Sequence, residues 1–130
     1  MKKLYYASSL VLMLLALVFS GCTAKLEAFN DTSKTIQTKV SQEFVIALGS
    51  NLTTGYSWQP EYDGGMFTLV NREYKADDTF GKYVVGSGGT EYFYFKANTT
   101  GHSQISFTYY RPWENPNSED QKAVFDIVIK

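Results

Sequence analysis

Three observations predict an all-β fold for this chain. Apolar residues recur at every second position in short runs, turn-forming residues separate these runs, and no segment keeps a helical period for three turns. Seven runs of this kind within one domain are typical of an immunoglobulin-like β-sandwich, in which two antiparallel sheets pack face to face. A small closed barrel is the alternative architecture.

The chain begins with a pattern that is typical of a secretory signal. Lys2 and Lys3 precede an apolar run from Leu4 to Phe19, and small residues follow this run. A short membrane anchor is the alternative, but the run contains polar residues and is short for a membrane span. We therefore expect residues 1–21 to be a signal peptide that is removed.

The end of this segment, "VFSGC", resembles a bacterial lipobox, although Phe19 stands where leucine is commonest. Cys22 is the only cysteine of the chain, so it has no disulfide partner within it. We expect its thiol to carry a lipid, with residues 22–33 as a tether and residues 34–130 as the folded domain. The protein would then belong to the cell envelope, anchored by lipid to a membrane surface that faces the periplasm or the exterior.

The overall charge gives no support for a nucleic-acid partner. The chain has 12 basic and 13 acidic residues, which give a formal net charge of −1, and no basic stripe is present. Without paired cysteines the domain must be stabilised by burial alone, and an aromatic content of 16% favours such a core.

The predicted strands, designated A to G, follow one another through the domain. They cover residues 34–40, 43–49, 55–60, 66–76, 91–97, 103–110 and 123–130. Strand C is expected to end at Pro60, because proline cannot donate to a ladder, and its Trp58 stands where immunoglobulin-like domains bury a tryptophan. The apolar residues that share one face of their strand are Phe44, Ile46 and Leu48 in B, Phe93 and Phe95 in E, Ile105, Phe107 and Tyr109 in F, and Phe125, Ile127 and Ile129 in G.

Three connections of such a sandwich emerge at the same end. They are the BC loop (residues 49–55), the DE loop (77–90) and the FG loop (111–122). The most unusual sequence of the domain is concentrated in them. "NLTTGYSW" begins in the BC loop, "VVGSGGTEY" includes the end of the DE loop, and "RPWENPNSED" opens the FG loop.

The glycines of the DE loop and the tryptophan of the FG loop each have two interpretations. Gly86, Gly88 and Gly89 permit positive φ and the close approach of another backbone, or they simply form a flexible hairpin loop. No lysine or helix follows them, which disfavours a phosphate site. Trp113, beside Arg111 in a polar loop, is either a binding anchor or a side chain folded over the rim of the sandwich.

The sequence does not bring the residue types needed for catalysis together into a catalytic or metal-binding group. His102 is the only histidine, and it lies in the turn "NTTGHSQ" between strands E and F, at the end opposite the three loops. An acylated Cys22 could not act as a nucleophile, and the one histidine that could serve as a base is most simply a solvated turn residue. One histidine with scattered carboxylates does not make a metal site. We expect a protein that is not an enzyme and needs no metal or cofactor.

The three loop motifs together resemble those of the chagasin-type inhibitors of papain-family cysteine proteases. That family has Asn-Pro-Thr-Thr-Gly-Tyr in the BC loop, Gly-x-Gly-Gly in the DE loop and Arg-Pro-Trp in the FG loop. Here they read "NLTTGYSW", "GSGG" and "RPWE" in the same order, and the resemblance covers nearly all of residues 34–130. It implies a monomeric, reversible, tight-binding inhibitor that blocks the active-site cleft of a papain-like cysteine protease.

The resemblance also implies a role for each motif. Thr53 and Thr54 would lie near the catalytic cysteine and histidine of the protease, and the DE glycines would run beside its substrate-binding positions. Trp113 would pack against an aromatic residue of the protease, while Arg111 would brace the FG loop. The implied protease-binding residues are Asn51, Leu52, Thr53, Thr54, Gly55, Tyr56, Gly86, Gly88, Gly89, Arg111, Pro112 and Trp113.

Leu52 departs from the family, whose usual residue at this position is proline. Because proline restricts φ and lowers the entropy lost on binding, leucine is expected to leave the loop more mobile or to add an apolar contact. A surface lipoprotein with an adhesion or glycan-binding role is the alternative function, since β-sandwiches host many functions. A glycan site would be expected to use the exposed tyrosines.

Overall fold

The computed structural model describes residues 26–77 and 86–130, which form a sandwich of two four-stranded sheets. One sheet has the order β1-β3-β6-β5 and the other β2-β8-β7-β4. The pairs β1–β3 and β2–β8 are parallel, and the other pairs are antiparallel. This architecture confirms the predicted all-β sandwich. The strands are β1 (Ala28–Phe29), β2 (Ile36–Thr38), β3 (Glu43–Ser50), β4 (Ser57–Glu61), β5 (Phe67–Ala76), β6 (Gly89–Ala97), β7 (Gly101–Tyr110) and β8 (Gln121–Ile129).

Several predicted features lie outside the described residues. They are the signal peptide 1–21, the lipid-bearing Cys22 and residues 78–85 of the DE loop. Within the described part of the chain, no helix is long and apolar enough to cross a membrane.

A short strand precedes the seven that the sequence predicts. Ala28 pairs with Val45 and Phe29 with Ile46, so that β1 forms a parallel edge beside β3. This strand lies within residues 22–33, the segment predicted to be a tether. A two-residue strand has too little periodicity to be recognised from sequence.

The alternating apolar residues pack between the sheets. Phe107 of β7 contacts Phe93 of the opposite sheet, with ring centroids 4.8 Å apart, and Phe125 of the neighbouring strand at 5.9 Å. All three side chains are fully buried. Each buried phenylalanine contributes about 1.5–3 kcal/mol of transfer free energy. The buried cluster consists of Ile36, Phe44, Ile46, Leu48, Trp58, Phe67, Phe93, Phe95, Ala97, Ile105, Phe107, Ala123, Phe125, Ile127 and Ile129.

Strand β4 does not end at Pro60 as the sequence predicts. It continues to Glu61, and Pro60 pairs with Phe107 of β7. The prediction is wrong because β4 is an edge strand. Trp58, two residues earlier, directs its backbone N–H to a side chain of the other sheet, so the missing N–H of Pro60 falls on the same unpaired side.

His102 lies in a strand and not in the predicted turn. β7 begins at Gly101, which pairs with Ile129, so the turn between β6 and β7 is shorter than expected. The imidazole is mostly exposed, and its Nε2 lies 3.8 Å from Oδ1 of Asp126. The residue remains at the end of the sandwich opposite the BC loop.

Candidate functional site

The loops that follow β3, β5 and β7 meet at one end of the sandwich, as the strand order predicts. Nδ2 of Asn51 in the BC loop donates a hydrogen bond of 3.3 Å to the carbonyl oxygen of Gly86 in the DE loop. Nε of Arg111 in the FG loop donates one of 3.2 Å to the carbonyl oxygen of Thr54. The BC loop is therefore bonded on both sides by its neighbours.

The BC loop contains a single turn of 3-10 helix, Leu52–Thr54, which Asn51 caps. Oδ1 of Asn51 accepts from the backbone N–H of Thr53 at 3.2 Å and from its hydroxyl at 2.6 Å. The hydroxyl of Thr54 donates to the carbonyl oxygen of Asn51 at 2.7 Å. Short polar side chains that bond to the local backbone favour caps and turns, so the sequence itself determines this shape.

Gly55 closes the turn in a way that only glycine permits. Its φ is 82°, in the left-handed region, and its N–H donates to the carbonyl oxygen of Leu52 at 3.0 Å. A Cβ at this position would lie 2.5 Å from Cη2 of Trp113. The glycine is thus required both for the backbone conformation and for the approach of the indole.

The FG loop holds its tryptophan outward against the BC loop. Trp113 is 72% exposed even though its ring touches Gly55. Cζ of Arg111 in the same loop lies 4.7 Å from the centroid of the Tyr56 ring, and its Nη1 lies 3.4 Å from Oε1 of Glu114. Trp113 is therefore not part of the core, and its indole lies on the surface against the BC loop.

The three glycines of the DE loop differ in their backbone conformation. Gly86 has a φ of 94°, which fits the expected positive φ, whereas Gly88 and Gly89 do not have positive φ. Gly89 is buried in β6, and a Cβ there would lie 2.5 Å from the hydroxyl oxygen of Tyr74 and still nearer to the carbonyl oxygen of Lys75. Close approach of another chain segment is therefore the reason for Gly89, and positive φ is the reason for Gly86.

Two aromatic side chains support the BC loop from below. The hydroxyl of Tyr109 accepts a 2.9 Å hydrogen bond from the backbone N–H of Asn51, and its ring lies 5.5 Å from that of Tyr56 and 4.9 Å from that of Trp58. Nε1 of Trp58 donates to the carbonyl oxygen of Gly49 at 2.8 Å. Trp58 is 4% exposed, which confirms the core position predicted for it.

The sequence prediction did not identify Glu91 and Arg72. Glu91 is 1% exposed, and its Oε1 accepts from the backbone N–H of Trp58 at 3.1 Å. Nη2 of Arg72 donates to Oε2 of Glu91 and to the carbonyl oxygen of Trp58. The available signal was the period of the strand, because Glu91 shares a face with Phe93 and Phe95 and therefore points into the core.

The profile of the Chagasin family peptidase inhibitor I42 matches residues 37–129 of this sequence. The chain belongs to the chagasin family of peptidase inhibitors. Chagasin of Trypanosoma cruzi is 31% identical to it over 104 residues, which is 74% of this chain and 87% of chagasin. Amoebiasin-1 of Entamoeba histolytica is 35% identical over 101 residues, which is 78% of this chain and 93% of that protein.

Solved structures of similar proteins have the same fold. The cysteine protease inhibitor EhICP2 from Entamoeba histolytica superposes with a TM-score of 0.66 over 81% of this chain and 96% of its own, at 24% identity. The solution structure of Amebosin gives a TM-score of 0.65 over 82% of this chain and 100% of its own, at 28% identity.

Membership of the chagasin family confirms two predictions from the sequence. The predicted resemblance to the chagasin family is confirmed by the family profile and by the curated relatives. The prediction of an inhibitor, as opposed to an enzyme, is confirmed because the family is one of peptidase inhibitors.

Proposed function

We propose that this chain is a reversible, tight-binding inhibitor of papain-like cysteine proteases. The BC loop would enter the active-site cleft with Thr53 and Thr54 at its tip, while the DE glycines and Trp113 contact the cleft on either side. The observation that carries this proposal is the exposure of Leu52 and Trp113 on loops that hydrogen bonds hold in one shape. An ordered loop loses little conformational entropy when it docks, which favours tight binding.

The hydrogen bonds of the BC loop also explain how it could resist cleavage. The carbonyl oxygen of Asn51 accepts from Thr54, that of Leu52 accepts from Gly55, and that of Thr54 accepts from Arg111. A protease must place the carbonyl oxygen of a scissile bond among its own oxyanion donors. The internal bonds fix the orientation of these three carbonyls, so the loop would bind without turning them into attack geometry.

The direct test is a titration of papain and several cathepsin-like enzymes with the folded domain. We expect inhibition at or below micromolar concentration, with one inhibitor per enzyme and intact inhibitor recovered by mass spectrometry. No inhibition at micromolar concentration, or cleavage within residues 51–56, would contradict the proposal.

The variant Thr53→Asp tests whether the tip of the BC loop enters the cleft. A carboxylate there would be desolvated on binding without a partner, so inhibition should be lost. Thr100→Asp is the matched control, because Thr100 is an exposed threonine in the turn at the opposite end. If both variants inhibit like the natural protein, a surface other than the BC loop binds the protease. Glycan binding that survives Thr53→Asp would support an adhesion role instead.

We also propose that Cys22 carries a lipid and holds the inhibitor on a membrane surface of the cell envelope. The lipobox-like sequence "VFSGC" supports this location. Each buried acyl methylene contributes about 0.8 kcal/mol, so several chains would bind the membrane firmly. The variant Cys22→Ser should move the protein from the membrane fraction to the soluble fraction. A Cys22→Ser protein that stays with the membranes would contradict the anchor.

A further inference from the structure

Strand β4 follows the BC loop directly and is the edge of its sheet. Trp58, its second residue, pairs with Tyr109 of β7 but directs both of its backbone groups away from that strand. The N–H donates to Oε1 of Glu91 at 3.1 Å, and the carbonyl oxygen accepts from Nη2 of Arg72 at 2.9 Å. Two side chains of the opposite sheet therefore take the place of a missing neighbouring strand.

The Glu91–Arg72 pair is an ion pair at the boundary between the two sheets. The side chain of Glu91 is 2% exposed and that of Arg72 is 36% exposed, with Nε of Arg72 3.1 Å from Oε2 of Glu91. The guanidinium also lies over the ring of Phe93, 5.0 Å from its centroid. A buried ion pair is weak evidence for stability, because desolvation offsets the attraction, and its best-attested use is to specify one geometry.

The geometry that this pair specifies is that of the binding loop. Trp58, held by both members of the pair, bonds through its indole to Gly49 at the start of the BC loop. Its ring packs on Tyr109, whose hydroxyl accepts from the N–H of Asn51. The contacts thus reach the beginning of the loop through side chains and its end through the backbone of β4.

We propose that Glu91 and Arg72 are positioning residues that hold residues 51–56 in the inhibitory conformation. The inference rests on the proposed function. Without the pair, the start of β4 is free to move, and the loop samples conformations in which its carbonyls leave their internal partners. A looser loop binds the protease more weakly and is open to cleavage.

The sharpest test is the double variant Glu91→Leu/Arg72→Met, which replaces the ion pair by apolar side chains of similar length. Such replacements are often neutral or stabilising for the fold, but here they remove both partners of the Trp58 backbone. Two properties are measured: amide hydrogen exchange of Asn51 and Gly55 in the free protein, and inhibition of papain. Phe44→Leu is the control, because it weakens the core at the far end of β3.

We expect the double variant to exchange both loop amides about tenfold faster and to inhibit about tenfold more weakly, with cleavage inside residues 51–56. The Phe44→Leu control should leave loop exchange and inhibition unchanged. If the double variant does not fold, Arg72→Lys is measured in its place. One ammonium group cannot reproduce the guanidinium fork that bonds to Glu91 and to Trp58 at the same time. Its effects should be in the same direction and smaller.

Loop exchange and inhibition equal to those of Phe44→Leu would overturn the inference, and so would faster exchange without weaker inhibition. If the natural protein inhibits no papain-like enzyme, the proposed function fails instead. The exchange measurement then still decides whether the Glu91–Arg72 pair orders the loop.

Discussion

Leu52 lies at the tip of the BC loop with 39% of its surface exposed. It occupies the first position of the 3-10 helix, where a backbone N–H has no partner within the helix and proline is well tolerated. Asn51 before it has φ −127° and ψ 88°, outside the α region that a following proline disfavours. The structure therefore accommodates the proline that the family usually has at this position.

The variant Leu52→Pro should raise the free energy of unfolding by about 0.4–1 kcal/mol, because it restricts the unfolded chain without straining the loop. Inhibition of papain should become tighter, because a proline also lowers the entropy that the loop loses on binding. Denaturant unfolding and an inhibition titration measure the two effects. Leu52→Ala is the control, since it removes the side chain without fixing φ. If Pro and Ala both weaken inhibition, the leucine side chain itself contacts the protease.

The 3-10 turn of the BC loop contacts the FG loop at Gly55. The turn needs a left-handed residue at its end, and the FG loop places the indole of Trp113 where a Cβ would stand. Arg111 adds a hydrogen bond to Thr54 and a cation–π contact with Tyr56. The two loops therefore form one unit, and a change at their contact should affect both.

The variant Gly55→Ala tests this contact. Left-handed backbone costs an alanine about 1–2 kcal/mol, and its methyl group also displaces Trp113. We expect inhibition to weaken, and the loss in unfolding free energy to be smaller in a Trp113→Ala background, where only the backbone cost remains. A double-mutant cycle measures this coupling. Equal losses in both backgrounds would mean that the indole does not lie against Gly55 in solution.

The sequence predicts elements better than it predicts their ends. Period-two runs located β6, β7 and β8, in which buried residues alternate with more exposed ones. Pro60 misled the prediction, since only the sheet order shows that its missing N–H lies on an open edge. Rules that consider only neighbouring residues do not contain that information, and β1 was missed because its two residues are too few to show a period.

For the candidate site, the loop motifs indicated which residues gather at one end but not what each contributes. The reason for Gly89 is its contact with Tyr74 and Lys75 on β5, and such a contact depends on strand register. Glu91 was overlooked because a lone carboxylate in an aromatic run looks like a strand end. Its partner Arg72 is 19 positions earlier in the chain, on a strand whose register shifts between Leu69 and Asn71.

The residues that stabilise the fold and the residues proposed to bind the protease lie in different parts of the molecule. Phe44 and its stacked neighbour Phe95 lie in the core, with ring centroids 5.9 Å apart. Ser50, at the end of β3, is six positions after Phe44, which is about 20 Å of strand. At the loop end, Trp113 is exposed and contributes little to the core. Stability and inhibition should therefore respond to different substitutions.

Trp113→Ala and Phe44→Leu, made singly and together, test this separation. Trp113→Ala should weaken inhibition by about 1–3 kcal/mol and leave the thermal midpoint nearly unchanged, because an exposed indole stabilises a complex more than a fold. Phe44→Leu should lower the free energy of unfolding by about 1–2 kcal/mol and leave inhibition unchanged. Sites this far apart and without shared partners act independently, so the double variant should show both losses as a simple sum.

Denaturant unfolding, followed by the fluorescence of the remaining Trp58, and a papain titration give the two quantities. A large loss of stability in Trp113→Ala would assign the indole to the core in solution, and a departure from additivity would mean that core packing sets the shape of the loops.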